Sequence, residues 1–435
     1  MAAPASAPLG RVILGALAGL ALNLYAAPLP QPVASALKQA HIPLADVGIE
    51  VRAANARKPL LSLNAGKAMN PASTMKLLTT YAGLEMLGPA YSWKTEAWLD
   101  GRLADGVLQG NLVLKGHGDP KLTLEQFWLW LRELRGRGLR EIRGNVLLDR
   151  SAFQLAPHDP AAFDHDPVRA YNVGPDALLL NFNAISLHLI PDGSKANVLV
   201  EPELAGIRLD NRLRLVAEGD CDNWDDAITS GIAGATLELQ GPFPAPCGER
   251  KEYVSLLPHT EYVDTVFRAL WRELGGTLGG EVKEGATPAG ATPFSTHLSQ
   301  PLSEIIRDIN KFSNNVMARQ LFLTLSLSPD APASVARSEQ ALRAWLAQKH
   351  LDIPELVLEN GAGLSRAERI SPRSMALLLQ AAQNSPSQAE FESSLPIVGV
   401  DGTLKKRLRE SPASDHAHLK TGSLEGVKSI AGYVQ

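Results

Sequence analysis

The order of hydrophobic and polar positions predicts an α+β arrangement in the first part of the chain. Residues 47–52 and 59–64 alternate in polarity or run apolar, as two strands of a hairpin do. A loop bearing Pro71 then leads into an apolar, helix-forming stretch that continues to about Leu87. Two strands followed by a helix that is apolar on several faces are typical of a layer in which the helix packs on a sheet.

The pattern changes after residue 91 and indicates a large insertion. Residues 93–99 and 107–114 predict strands, and residues 123–137 predict a helix rich in Leu and Trp. From residue 142 to 256, short apolar runs alternate with Pro, Gly and Asp turns, which is typical of β structure. Helical periodicity then returns in four stretches, at residues 260–274, 302–327, 333–349 and 371–382.

These changes predict one domain made of two distant pieces with an insert between them. The first piece covers residues 27–97, the mostly β insert residues 98–254, and the second piece residues 255–435. The last six residues look like a strand, and a core strand seldom closes a domain without a return element. We therefore expect a truncated C-terminus.

The composition is that of a globular protein with ample core. Hydrophobic residues make up 45% of the 435 positions and charged residues 20%, which suits two or more domains. The formal net charge is −4, and the basic residues are dispersed rather than arranged in a stripe. We therefore expect no nucleic-acid partner.

The N-terminus has the three-part plan of a secretory signal. Arg11 precedes an apolar run over residues 12–22, and cleavage after Ala26 fits best, so residues 1–26 are the predicted signal peptide of an exported, periplasmic protein. An uncleaved N-terminal anchor is the alternative. Export makes Cys221 and Cys247 candidates for a disulfide, although two free thiols remain open.

A nucleophile with its base is indicated by Ser73 and Lys76, which form a Ser-x-x-Lys motif at the predicted helix start. Residues three apart lie on the same face of a helix, so the amine can reach the hydroxyl. Burial, the positive end of the helix and a second lysine, Lys420, predict a lowered pKa for Lys76. Taken alone the motif is weak, because Ser35 and Lys38 match it too.

Two downstream motifs distinguish Ser73 from the other match. Ser313 and Asn315 form a Ser-x-Asn motif between two helical stretches, and Lys420 and Thr421 belong to a Lys-Thr-Gly motif on a predicted strand. Ser-x-x-Lys, a Ser-x-Asn-type element and Lys-Thr-Gly, in this order, are found in penicillin-binding proteins and serine β-lactamases. The sequence therefore predicts acyl transfer to a serine.

The sequence resembles the D-alanyl-D-alanine carboxypeptidases and endopeptidases of the class C low-molecular-mass penicillin-binding proteins, the penicillin-binding protein 4 type. Beyond the three motifs, the likeness includes residues 116–122, 360–366 and 395–404 and covers nearly the whole mature chain. Two departures are small: Glu359-Asn360 replaces the family's usual Asp, and Ala362 replaces a serine. The implied fold is α+β, a β-lactamase-like peptidase domain with a large insert.

The resemblance also implies roles. Ser73 would be acylated by the penultimate D-alanine carbonyl while Lys76 takes its proton, and Ser313 would relay a proton to the leaving amine. The substrate contacts that it implies are Asn315 to the peptide, Lys420 and Thr421 to the terminal carboxylate, the backbone N–H groups of Ser73 and Ser423 to the oxyanion, and Asp149 and Phe153 to the diamino-acid side chain. A turn aspartate and a core phenylalanine are the alternative for the last two.

The expected substrates are peptidoglycan stem peptides, with β-lactam antibiotics as covalent inhibitors and with no metal or cofactor. The His and Asp residues between 158 and 166 match no established ligand spacing. The resemblance leaves open a peripheral membrane contact. A serine β-lactamase and a non-catalytic wall-binding protein are the alternative functions.

Overall fold

The computed structural model of the protein describes residues 29–193 and 195–435. The predicted signal peptide therefore lies outside the described residues. Within those two ranges, no helix is both long and apolar enough to span a bilayer. The α-helices are α1 (Gln31–Gln39), α2 (Met75–Leu87), α3 (Leu124–Gly136), α4 (His259–Glu273), α5 (Leu302–Lys311), α6 (Asn315–Thr324), α7 (Val335–Gln348), α8 (Pro372–Gln383) and α9 (Gln388–Ser394).

The strands are unevenly distributed along the chain, and most of them lie between α2 and α5. They are β1 (Ile49–Val51), β2 (Leu61–Leu63), β3 (Lys94–Ala104), β4 (Val107–Gly116), β5 (Glu141–Ile142), β6 (Val146–Asp149), β7 (Ile185–Asp192), β8 (Lys195–Glu201), β9 (Arg208–Val216), β10 (Thr229–Ala233), β11 (Thr236–Pro244), β12 (Arg250–Val254), β13 (Thr277–Leu278), β14 (Val282–Glu284), β15 (Thr292–Leu298), β16 (Ala417–Leu424) and β17 (Val427–Val434).

The chain divides by its contacts into the units Met1–Asn64 and Ala65–Gln435. In the described part of the first unit, β1 and β2 form the predicted antiparallel hairpin, with Ile49 opposite Leu63. Asn64 ends it in a left-handed conformation, with φ of 46°. Its side-chain amide donates to the carbonyls of Leu44 and Val47, at 2.8 Å each, which anchors the end of the hairpin.

In the second unit, α2 is the centre of a helical core. Its residues from Met75 to Leu84 are all buried, because α5, α6, α7, α8 and α9 pack around it. This surrounding explains why the helix is apolar on several faces. The Tyr81 ring contacts those of Trp345 and Phe391, at centroid distances of 5.2 and 5.5 Å. The antiparallel β16–β17 hairpin contacts the turn that precedes α2.

A second hydrophobic core lies in the insert. One sheet orders its strands β13-β5-β4-β3-β15, with β6 paired to β4 and β14. Helix α4 joins this core, where Phe267 packs against Phe127 of α3 and stacks on Trp271. Helix α4, which the sequence assigned to the second piece of the peptidase domain, thus packs on the same core as α3. An amphipathic pattern shows that a helix has a buried face but not which core buries it, and the insert bounds of residues 98–254 stay a prediction.

The other sheets of the insert are smaller. Strands β12-β7-β8 form one sheet, and β10-β11-β9 form another in which β11 runs parallel to β9. Cys221 and Cys247 form a disulfide in this region, joining the segment after β9 to the segment after β11. The disulfide therefore braces the β-rich part of the insert.

Candidate active site

Ser73 lies in a 3-10 turn, Ala72–Thr74, immediately before α2. The turn is shaped by Asn70, whose side-chain oxygen accepts from the Ala72 N–H at 2.9 Å. The Asn70 amide donates to the Ser365 carbonyl at 2.9 Å. Ala72 itself adopts a left-handed conformation, with φ of 45°, which is uncommon for a residue with a Cβ. Ser73 is half-buried at the positive end of the helix.

Lys76 connects Ser73 to two other parts of the chain. Its side chain is completely buried, and its Nζ lies 2.9 Å from Ser73 Oγ. The same amine donates to Asn315 Oδ1 at 2.6 Å and to the Ala362 carbonyl at 2.5 Å. One nitrogen therefore joins the Ser-x-x-Lys motif, the Ser-x-Asn motif and the loop after residue 360.

The surroundings of Lys76 disfavour its charged form. Burial is the largest cause that lowers its pKa well below the ordinary value of a lysine. The charges of Lys420 and Arg319 lower it further, and the charge of Glu368 acts in the opposite direction. The pKa direction predicted for Lys76 is thus the one that the structure supports, with Arg319 and Glu368 as contributors that the sequence did not indicate.

Ser313 lies in the break between α5 and α6, where it has a φ of 59°. Asn314 caps α6 by accepting from the Met317 N–H at 3.0 Å. On the other side of the break, the buried Lys311 forms an ion pair with Asp401 at 2.7 Å. The cap at Asn314 and the ion pair at Lys311 thus hold the backbone before and after Ser313, whose positive φ is a strained conformation.

Lys420 of β16 faces Ser313. Its Nζ donates to Ser313 Oγ at 2.8 Å and to the Thr421 carbonyl at 2.7 Å. Burial lowers the pKa of Lys420 to about 7. The Thr421 hydroxyl lies 3.0 Å from the hydroxyl of Thr403, which belongs to the third segment of the family resemblance.

Two glycines allow backbone segments to approach the Ser73 turn. A Cβ on Gly422 of β16 would lie 2.8 Å from the Ser73 nitrogen and 2.2 Å from Ser429 Oγ. A Cβ on Gly363, which has a φ of 79°, would lie 1.8 Å from the Ala72 carbonyl oxygen. Neither position has room for a side chain. Both the β16 strand and the loop around Gly363 therefore lie directly against the turn.

The comparisons with known proteins agree with this geometry. The model of the D-Ala-D-Ala carboxypeptidase 3 (S13) family matches residues 29–435. The chain belongs to the S13 family. The prediction of a serine-type D-Ala-D-Ala carboxypeptidase, a hydrolase, is thereby confirmed at the level of the family.

Two curated relatives of this S13 protein are similar along most of their length. The D-alanyl-D-alanine carboxypeptidase DacB of Haemophilus influenzae is 24% identical, with 89% of this chain and 82% of the relative covered. The D-alanyl-D-alanine carboxypeptidase of an Actinomadura species, strain R39, is 28% identical, with 86% and 72% covered.

The crystal structure of penicillin binding protein 4 from Haemophilus influenzae matches with a TM-score of 0.75 and 25% identity, over 89% of this chain and 86% of the other. Another structure of that protein, in complex with a β-lactam, matches with a TM-score of 0.71 and 24% identity, over 89% and 86%. The predicted α+β fold of a penicillin-binding protein with an insert is confirmed by these matches.

The fold of this S13 protein brings most of the predicted site residues together. Hydrogen bonds connect Ser73, Lys76 and Asn315 in one group, and Ser313, Lys420 and Thr421 in the other. Lys420 also acts electrostatically on Lys76. Ser423 follows on β16, where its exposed hydroxyl accepts a hydrogen bond from Lys428.

Asp149 and Phe153 belong to the packing of the insert. Asp149 is buried and accepts hydrogen bonds from the backbone and side chains of Ser151 and Thr287. Burial raises the pKa of Asp149, but these hydrogen bonds together outweigh burial and lower the pKa to about 2. Phe153 is in a small apolar cluster. Both residues also line a cleft of about 1830 Å³ that does not include Ser73. These contacts fit the alternative roles of a turn aspartate and a core phenylalanine. Contact of Asp149 or Phe153 with a substrate stays a prediction.

Two parts of the site were not indicated by the sequence. The Ala362 carbonyl holds Lys76 across 286 residues of chain, and Glu368 holds the loop that bears this carbonyl. The only available signal was the resemblance over residues 360–366, since a backbone carbonyl has no residue-type signature. Among the described residues, no group of His, Cys, Asp or Glu is arranged to hold a metal ion.

Proposed function

We propose that this S13 peptidase removes the terminal D-alanine from peptidoglycan stem peptides through an acyl-enzyme on Ser73, with Lys76 as the general base. The observation that supports this most strongly is the buried Lys76 amine, 2.9 Å from Ser73 Oγ, with its pKa lowered by burial. A serine hydroxyl is a weak nucleophile until a base takes its proton.

The hydrogen bonds of Lys76 suit this role. A neutral amine has two N–H bonds and one lone pair. With its N–H groups directed to Asn315 Oδ1 and the Ala362 carbonyl, the lone pair of Lys76 is left for the Ser73 hydroxyl. Ser73 Oγ then attacks the penultimate D-alanine carbonyl, and its proton moves to Lys76 Nζ.

Charge develops on the carbonyl oxygen during this attack. The backbone N–H groups of Ser73 and Ser423 are the proposed oxyanion donors, a role that depends on geometry and not on side-chain type. The close approach of Gly422 to the Ser73 nitrogen supports this, because it brings β16 against the turn without an intervening side chain.

Departure of D-alanine requires a proton on its amine. Ser313 is the proposed relay: its hydroxyl passes its proton to the leaving nitrogen as the C–N bond breaks and is reprotonated by Lys420, which donates to it, while the proton that Lys76 took from Ser73 restores the charge of Lys420. In its charged form, Lys420 together with Thr421 binds the terminal carboxylate. Water then hydrolyses the ester, which releases the shortened peptide and restores the Ser73 hydroxyl.

A fluorescent penicillin tests the proposal directly. The β-lactam amide takes the place of the scissile bond, so the wild-type protein should be labelled covalently, and Ser73→Ala should not. Ser35→Ala is the matched control, because Ser35 begins the other Ser-x-x-Lys match and is exposed on α1. Absence of label on folded wild-type protein, or equal labelling of Ser73→Ala, would contradict the assignment.

Assays of penicillin turnover, D-alanine release and binding to sacculi separate the proposed function from the two alternatives. A serine β-lactamase would turn over penicillin many times per minute and release D-alanine from peptides slowly or not at all. A non-catalytic wall-binding protein would bind isolated sacculi without acylation. We expect D-alanine release from a peptide that ends in D-Ala-D-Ala, together with a stable penicilloyl adduct at Ser73.

The proposed substrate supports a periplasmic location. Peptidoglycan lies outside the cytoplasmic membrane, and the disulfide between Cys221 and Cys247 suits an oxidising compartment. We place the mature protein in the periplasm after cleavage near Ala26. The N-terminal residue of protein recovered from a periplasmic extract tests this, and a protein that keeps residues 1–26 would contradict it.

A further inference from the structure

Glu368 is a completely buried carboxylate at the end of the loop that contacts Lys76. Its Oε1 accepts hydrogen bonds from three consecutive backbone N–H groups, those of Glu359 at 3.1 Å, Asn360 at 2.9 Å and Gly361 at 2.9 Å. Burial raises the pKa of this carboxyl group, whereas the three N–H donors and the charge of Lys76 act in the opposite direction and favour its ionised form. One side chain therefore sets the course of the backbone over these residues.

The residues held by Glu368 contact the nucleophile helix. The Gly361 carbonyl accepts a hydrogen bond from the Thr79 hydroxyl of α2 at 2.6 Å. The next carbonyl, that of Ala362, accepts from Lys76 Nζ at 2.5 Å. Glu368 is thus two steps from the proposed base: its carboxylate binds the loop, and the loop binds the amine.

Glu368 also supplies a negative charge to a group of buried cations. Its second oxygen, Oε2, has no hydrogen-bond partner in the described residues. The charged groups that act on Lys76 are Lys420, Arg319 and Glu368, and Glu368 is the anion among them. Arg319 is itself buried and interacts with Glu368 electrostatically. Buried cations without an opposite charge are costly.

We propose that Glu368 is a positioning residue for Lys76: its carboxylate holds the loop whose Ala362 carbonyl orients the lysine amine, and its charge sets how readily that amine is protonated. This inference rests on the proposed role of Lys76 as the base. It assigns to Glu368 both a geometric and an electrostatic effect, which different substitutions separate.

The charge is tested with Glu368→Gln. The glutamine keeps the shape of the side chain and an oxygen for the three N–H donors, and internal contacts also support the loop: Asn360 Oδ1 accepts from the Ala362 N–H, and its amide donates to the Leu364 carbonyl. Loss of the negative charge should lower the pKa of Lys76. The acid limb of the penicillin acylation rate should move to lower pH by roughly one unit.

The geometric part is tested with Glu368→Ala, which removes the acceptor as well. We expect acylation on the plateau of the pH profile to fall by about tenfold or more, because misplacing a catalytic group by a fraction of an ångström is costly. Glu355→Gln is the matched control. Glu355 also binds backbone and hydroxyl donors, from Ser371 and Ser374, but at the start of α8.

The inference is overturned if Glu368→Gln leaves the acid limb in place while Glu368→Ala retains more than half of the wild-type rate. It is also overturned if Glu355→Gln moves the acid limb as far as Glu368→Gln does, because the effect would then be general. If Glu368→Ala does not fold, Glu368→Gln alone decides the question.

A measurement without substrate separates this inference from the proposed function. The titration of Lys76 can be followed by nuclear magnetic resonance of protein with isotope-labelled lysine, with the signal assigned from Lys76→Arg. A lower midpoint in Glu368→Gln supports the inference even if penicillin does not react. An unchanged midpoint overturns it even if Ser73 is acylated normally.

Discussion

At the scale of single residues, the protonation state of Lys76 controls the proposed chemistry. The active form is the neutral amine, and burial together with Lys420 and Arg319 lowers its pKa well below the usual lysine value. Acylation should therefore rise as the pH rises through this lowered pKa and reach a plateau far below the pH at which a free lysine, with a pKa of about 10.4, would titrate.

Lys76→Arg should reduce acylation by about 100-fold or more, because a guanidinium keeps the positive charge but does not deprotonate in proteins. The rate constant for reaction with a fluorescent penicillin measures this. A variant that retained most of the wild-type rate would make Lys76 an electrostatic support, and the base would then have to be Ser313 or a bound water.

We assign the alkaline limb of the pH profile, where the rate falls as the pH rises, to Lys420. Burial lowers its pKa to about 7, and its charged form is the one that binds a carboxylate. Since raising the pH removes this charge, kcat/KM for a peptide ending in D-Ala-D-Ala should fall above about pH 7. A bound carboxylate favours the ammonium form, so the limb in kcat should lie at higher pH.

Lys420→Arg tests this assignment. Arginine stays charged throughout the range, so we expect the alkaline limb to disappear, while the plateau is lowered because the contact with Ser313 Oγ changes. Profiles of kcat/KM measured between pH 5 and 10 show the outcome. If the limb stays near pH 7 in the arginine variant, another group is responsible for it.

At the scale of elements, the approach of β16 to the start of α2 is the contact on which the proposed oxyanion site depends. In Gly422→Ala the added Cβ would lie 2.8 Å from the Ser73 nitrogen and 2.2 Å from Ser429 Oγ, so the strand must move away. We expect acylation to fall by about tenfold or more, with less effect on stability than on rate.

Gly231→Ala is the control for the Gly422 substitution. Gly231 is also a strand glycine, in β10, and a Cβ there meets no atom within 4 Å. We expect acylation by this variant to equal that of the wild type. Equal rates in both variants would show that β16 tolerates a shift and that its distance from Ser73 is not critical.

At the scale of the whole molecule, the insert has its own hydrophobic core, distinct from the core around α2. The disulfide between Cys221 and Cys247 lies in the insert and joins residues 26 positions apart in the sequence. Replacing both cysteines by alanine should lower the free energy of unfolding by roughly 3 kcal/mol. Acylation of Ser73 should remain within about twofold of the wild-type rate, because among the described residues no hydrogen bond of the site involves this region.

Chemical denaturation and penicillin labelling of the same double variant check the two statements. A variant with serine at both positions is measured in the same way, because serine is closer than alanine to a reduced cysteine in size and polarity. A loss of acylation in a folded, disulfide-free protein would mean that the β-rich part of the insert supports the site, contrary to the separation of the two cores.

The sequence by itself located the proposed reacting side chains and the order of the structural elements. Ser73 and Lys76 were recognisable as a candidate nucleophile and base because residues three apart share a helix face, which is a local property of the chain. Ser313, Asn315 and Lys420 could be added because their motifs occur in a set order. The helix after Ser73 and the hairpin before it were predicted from hydrophobic periodicity alone.

Only the tertiary structure decided what surrounds those side chains. The Ala362 carbonyl and Glu368 reach Lys76 from nearly 300 residues away, and a backbone acceptor leaves no mark in a sequence. The core that α4 joins was likewise undetermined by the sequence, because its apolar face fits either core. Local periodicity specifies which face of an element is buried, whereas the partner that buries it, and therefore the pKa of a group such as Lys76, depends on contacts that form only when the chain folds.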